Sequence, residues 1–185
     1  MQHMISKRAP VRRPQPDEYA SFFEKYVSLI QSGDIVGTLE AQRVQMVQLL
    51  GARSEREGNF RYAPGKWSVK EIIGHLSDAE RIFSYRALRI ARGDETPLPG
   101  FEQDDYIVTG RFNDRTLADL AAEFLSVRMA TITMVQSFTE EAWNRRGTAS
   151  DHPVTVRAMA YVIAGHEMHH RKILDERYFT AIPRA

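Results

Sequence analysis

The sequence contains no cysteine. This excludes a disulfide scaffold, a cysteine-based zinc site, an iron–sulfur cluster and a thiol nucleophile, and it fits a reducing compartment. A charge excess is also missing: 25 Lys and Arg stand against 24 Asp and Glu, for a net charge of +1. Proteins that grip nucleic acid through many phosphate contacts carry a clear basic surplus, so no nucleic-acid partner is expected. Long apolar runs are absent as well. The longest, such as Ala158 to Gly165, extend about eight residues, against the ~20 that a membrane-spanning helix needs. No apolar segment accompanies the N-terminal positive charges, so no membrane partner and no secretory signal are expected, and the chain is read as cytoplasmic.

What is present is globular. The 185 residues are 43% hydrophobic and 26% charged, enough for a core without staples. Residues 1–16 read as an extended, solvated arm, because Lys7, Arg8, Arg12 and Arg13 alternate with Pro10, Pro14 and Pro16. Residues 17–180 read as one domain. From Asp17 to Ser32, Tyr19, Phe22, Phe23, Tyr26, Val27 and Ile30 recur at helical spacing, and Gly33 ends the run. Asp34 opens a second helix that ends at Gly51, and a polar loop follows over Arg53 to Gly65. Ser68 and Glu71 form a capping box for a helix carrying Ile72, Ile73, Leu76, Ala79, Ile82 and Phe83, which ends near Gly93. Residues 94–115 read as a long Pro- and Gly-containing connection of the kind that is often functional. Thr116 opens the next helix, through Phe138. Arg145 to Pro153 is turn-rich, with a short strand pairing around Ala149 to Val156. Thr155 caps a last helix that runs to about Phe179. The sum is an all-α four-helix bundle with a short extra N-terminal helix.

Six histidines are present, three of them in His166-Glu167-Met168-His169-His170 on the last helix. Residues four apart share a helix face, so His166 and His170 project together, in the arrangement that lets two imidazoles share a metal ion. His169, at i+3 from His166, is an alternative partner. The string also satisfies the HExxH pattern of zinc proteases, with Glu167 in the general-base position. No suitably spaced third ligand follows, since Asp175 and Glu176 are out of phase on an unbroken helix. His75 lies on the stripe of its own helix that faces the bundle interior, and bundles build metal sites from such inward side chains. The plainer alternative for His75 is a core histidine bonded to a carbonyl, and Glu167 with Arg171 forms an ordinary i,i+4 ion-pair spacing. Glu80, beside Arg81, reads as solvated or paired on an arginine-rich face. Asp78 and Glu167 are candidate carboxylates for orienting the imidazoles. Asp104, Asp105 and Tyr106 are candidates for the mouth of the site.

Lys66-Trp67-Ser68-Val69-Lys70-Glu71-Ile72-Ile73-Gly74-His75-Leu76-Ser77-Asp78-Ala79-Glu80-Arg81 closely resembles the stretch around the first histidine in the DinB/YfiT-like superfamily. Arg86 to Asp94, Leu98 to Asp104, and Val156 to His170 continue the resemblance, which covers roughly residues 35 to 178. It implies a DinB-like four-helix bundle that holds a divalent metal on His75, His166 and His170. Zinc or nickel is the expected ion, with iron or manganese as alternatives, because imidazole does not select among them. Arg171-Lys172-Ile173 departs from the His-Arg-Gly-Gln that follows in many members. The family includes low-molecular-weight thiol S-transferases, a maleylpyruvate isomerase and proteins described as metal-dependent hydrolases, and its members are commonly homodimers. The resemblance therefore implies a metal-dependent transferase or hydrolase with a small-molecule substrate. The alternative is a non-enzymatic metal-binding stress-response protein. With no cysteine in the chain, any reacting thiol comes from the substrate.

Overall fold

A computed structural model describes residues 11–31 and 33–182. Lys7, Arg8 and Pro10 of the expected arm, and Ser32, lie outside the described residues. In chain order the helices are α1 (Glu24–Val27), α2 (Ile35–Gly51), α3 (Glu55–Gly58), α4 (Val69–Ala91), α5 (Gln103–Gly110), α6 (Leu117–Gln136), α7 (Glu140–Asn144) and α8 (Val156–Ile173). A hairpin of β1 (Arg146–Ala149) and β2 (His152–Thr155) precedes α8.

The long helices start where the local chemistry predicts. The Asp34 side chain accepts from the Gly37 amide, Thr116 from Asp119, and Thr155 from Ala158, each satisfying an amide that the first helical turn leaves free. Ser68 and Glu71 form the full reciprocal box at the head of α4. Glu71 is further held by Arg61 (2.6 and 2.9 Å) and by the Asn113 amide (2.7 Å). Burial pushes its carboxyl up, but Arg61 and the Ser68 amide outweigh that and keep it below its ordinary value.

Helix α4 packs on α6 and α8, and α2 packs on the same two, so the four long helices close a bundle with α2 and α4 at opposite corners. A polar pin crosses its centre. The guanidinium of Arg128, on α6, is fully buried and donates to both carboxylate oxygens of Glu80 on α4 (2.8 and 2.8 Å). It also donates to Gln42 of α2 (3.0 Å), whose amide donates to the Ala164 carbonyl of α8 (2.8 Å). All four helices are thus tied at one level, directly before His166. Glu80 is therefore a core residue and not the solvated charge its neighbour Arg81 suggests. Among the described residues no helix is long and apolar enough to cross a membrane.

Five segments differ from their sequence expectation. Asp17 to Ser32 is not one helix: two 3-10 turns, Pro16–Glu18 and Ser21–Phe23, precede the single turn of α1. Glu18 is drawn into the core by Arg157 of α8 and by Thr155, which caps that helix, and Tyr19 takes up an extended backbone that breaks the periodicity. The described part of the arm is extended but packed, with Pro14 buried and the Tyr161 hydroxyl donating to the Val11 carbonyl (3.4 Å). The 53–65 connection contains α3, and the 94–115 connection contains α5 and a 3-10 turn at Phe112–Asp114. The last helix becomes a π-turn over Leu174–Phe179. The hairpin agrees with the pairing expected near Ala149 to Val156. Its two-residue turn, Ser150-Asp151, has positive φ at both positions, which matches the twist that such a turn requires.

Candidate metal centre

Three imidazoles meet between α4 and α8. His75 comes from the second turn of α4, and His166 and His170 come from adjacent turns of α8. One ring nitrogen from each lies within 4.8 Å of the other two. The Nε2 atoms of His75 and His166 are 3.1 Å apart. Two nitrogens bound to one ion at about 2.0–2.1 Å in tetrahedral geometry stand about 3.3 Å apart, so the pair already has a shared-ligand spacing. The donor set fits a divalent ion on chemistry as well. Burial disfavours the imidazolium form, lowering His75 to about 4 and His170 to about 3, and lowering His166 well below its ordinary value. At neutral pH all three rings are therefore neutral and offer lone pairs. Without an ion, the 3.1 Å contact is a hydrogen bond in which one neutral ring donates to the other.

The surroundings are aromatic. Trp67 packs on His75 (centroids 4.9 Å apart), and Tyr26 and Phe83 meet His166 edge-on at 5.1 and 5.6 Å. Tyr26 reaches that position because Gly165 has no side chain: a Cβ there would overlap the Tyr26 carbonyl oxygen. His75 and His166 are buried, while His170 is partly exposed. A cleft of about 530 Å³ opens onto His75 and His166, with Phe22, Phe23, Phe83 and Phe101 in its walls.

His169 does not join the group; its ring turns to Tyr26 (5.4 Å). Asp78 and Glu167 make no hydrogen bond to a histidine among the described residues. Asp78, raised by burial and pulled back by Arg81, faces the charged cluster of Arg81, Glu123 and Arg115. Glu167 follows His166 directly, about 100° further around the helix, and points into the bundle. Both of its oxygens are buried without a hydrogen bond among the described residues, and Arg171 stands at 3.8 Å as a counter-charge. Burial raises its carboxyl to about 7, with Arg128 and Arg171 opposing. The 94–115 segment reaches the cleft through Gly100, Phe101, Glu102 and Gln103, whereas Asp104, Asp105 and Tyr106 sit outside it on α5. Missed in sequence were Tyr26 and Phe83, whose aromatic type marks them only as core, and Arg86, also in the cleft wall.

In a four-helix bundle, the long α4 and α8 bring three histidines to one point, a group that could hold a metal ion. The sequence model of the DinB superfamily matches residues 38–174, and the chain belongs to that superfamily. The fold is similar to that of YfiT from Bacillus subtilis, described as a probable metal-dependent hydrolase with an unusual four-helix bundle topology. The TM-score is 0.71 at 16% identity, over 90% of this chain and 93% of that one. No curated protein matches the chain.

Proposed function

We propose that the protein is a metal-dependent enzyme acting on a small molecule, with His75, His166 and His170 as the ligands of one divalent ion. The observation that carries this reading is the convergence of three neutral imidazoles, two of them buried, beside an aromatic cleft. Three protein ligands are the number found in catalytic sites, whereas structural sites are closed by four. A divalent ion held there supplies Lewis acidity to a nucleophile, either water or a substrate thiol.

The chain's own residues do the rest. The two histidines of α8, one turn apart, hold their rings in fixed relation, and His75 arrives from a helix tied to α6 and α8 by the Arg128 pin. Trp67, Tyr26 and Phe83 pack the rings and exclude water from their inner faces. The aromatic walls of the cleft bind the apolar part of the substrate. The description of YfiT supports hydrolysis, and the superfamily resemblance supports thiol transfer. The homodimer and the cytoplasmic location implied by the resemblance and composition belong to the same proposal. The test is turnover by metal-loaded protein of ester and amide panels, and of an electrophilic haloarene with bacillithiol, mycothiol or glutathione. Turnover that disappears in His170→Ala is expected. Bound metal with no turnover in either panel would leave a non-enzymatic metal-binding protein.

A further inference from the structure

Three arginines are buried among the described residues: Arg86, Arg128 and Arg157. Two of them are neutralised. Arg128 is forked onto Glu80, and Arg157 onto Glu18. Arg86, only 3% exposed, has no carboxylate within ion-pair distance among the described residues. Its hydrogen bonds run from Nη2 alone, to the Pro99 carbonyl (2.5 Å) and the Ser150 hydroxyl (3.1 Å). The donors on Nε and Nη1 have no protein partner among the described residues. A guanidinium taken out of water without a counter-ion is costly, and elsewhere in this molecule the cost is met by a carboxylate. Burial depresses the Arg86 pKa with nothing to oppose it.

Arg86 also differs from the other two in position: it lines the cleft that opens onto His75 and His166. It lies on the same face of α4 as His75, Ala79 and Phe83, three turns beyond His75, or about 16 Å along the helix axis. The Phe83 ring bridges the two, which leaves the guanidinium on the order of 10 Å from the His166 ring. Phe83 lies between, 5.6 Å from the His166 ring and 5.9 Å from the guanidinium carbon. At the mouth, Lys25 and Glu102 are both exposed and opposite in charge, so the buried charge facing the interior of the cleft is that of Arg86.

We propose that Arg86 anchors the carboxylate of an organic-acid substrate, whose apolar, aromatic-sized body lies along Phe83 and whose reacting group reaches the three histidines. This rests on the reading of those histidines as the reaction centre, but the anchor itself needs no metal. A carboxylate supplies the missing counter-ion and accepts from cleft-facing donors that no protein group among the described residues satisfies, interactions stronger than those of a neutral amide.

Titration calorimetry with 4-phenylbutyrate and its primary amide, on metal-free and on zinc-loaded full-length protein, tests this. The wild type is expected to bind the acid at least about tenfold more tightly than the amide in both forms. Arg86→Met is expected to lose that preference while its amide affinity and melting temperature stay close to wild type. Arg86→Lys keeps the charge and is expected to keep a weakened preference. Ser150→Ala, which removes one of the loop bonds, is expected to keep it in full. Equal affinity for acid and amide in the wild type, binding of neither, or a preference that survives Arg86→Met would each overturn the anchor. A fall in binding of acid and amide alike in Arg86→Met, with a lowered melting temperature, would make Arg86 a loop clamp. His170→Ala separates the two readings: it is expected to lose metal and turnover yet keep the acid preference.

Discussion

The α carbon of Gly165 lies against the carbonyl group of Tyr26, with no room for a methyl group between them. This approach seats the Tyr26 ring on His166 and His169, and it couples the N-terminal segment to the histidine turn of α8. Gly165→Ala is expected to push α1 off α8. Overpacking of this kind costs about 1–3 kcal/mol. Urea unfolding should show a lowered midpoint, and metal affinity should fall although no ligand has changed.

The Arg128–Glu80 pair is expected to behave as a buried ion pair. Removing one member, as in Glu80→Gln, leaves a guanidinium partly uncompensated, and about 3–5 kcal/mol is the usual loss. The double variant Glu80→Met/Arg128→Leu removes both charges and is expected to recover most of that loss. Denaturant unfolding of the three proteins measures the difference.

Glu167 is expected to show the opposite sign. Its carboxylate oxygens are buried without hydrogen bonds, and such groups cost about 1–3 kcal/mol each. Glu167→Leu, which removes both, is expected to raise the melting temperature and to leave metal stoichiometry unchanged. A variant that melts lower would mean that the Arg171 contact outweighs the burial.

Which parts of the fold were legible depends on how local their causes are. Helix starts at Ser68, Thr116 and Thr155 were readable, because a cap is written within four residues. The i,i+4 placement of His166 and His170 was readable for the same reason. His75 could be placed on an inward stripe, but its meeting with α8 rested on a family resemblance, since 91 residues separate it from His166. Glu80 was misread because its partner Arg128 is 48 residues away and Arg81 stands beside it. Glu18 was hidden in the same way, and its capture by Arg157 is what breaks the expected first helix. Helix α5 has no side-chain cap and mostly exposed residues, so the 94–115 segment carried no helical signal.

Glu18 also sets an expected acid response. Burial raises its carboxyl, but the Arg157 fork, the Gln15 amide and the Thr155 hydroxyl together hold it below its ordinary value. A depressed carboxylate contributes stability that is fully present above the unfolded value of about pH 4.3 and is lost as pH falls through the folded value. Melting curves between pH 6 and 3 should show this loss, and Glu18→Gln should flatten it from a lower starting stability.

The central claim is that three imidazoles share one cation. Elemental analysis after equilibration with zinc or nickel, combined with X-ray absorption at the metal edge, tests it most directly. One ion per chain, bound by about three imidazole nitrogens and lost in His75→Ala, His166→Ala and His170→Ala but retained in His169→Ala, is the predicted result. Undiminished binding in His75→Ala, or a wild type that takes up no ion, would contradict it.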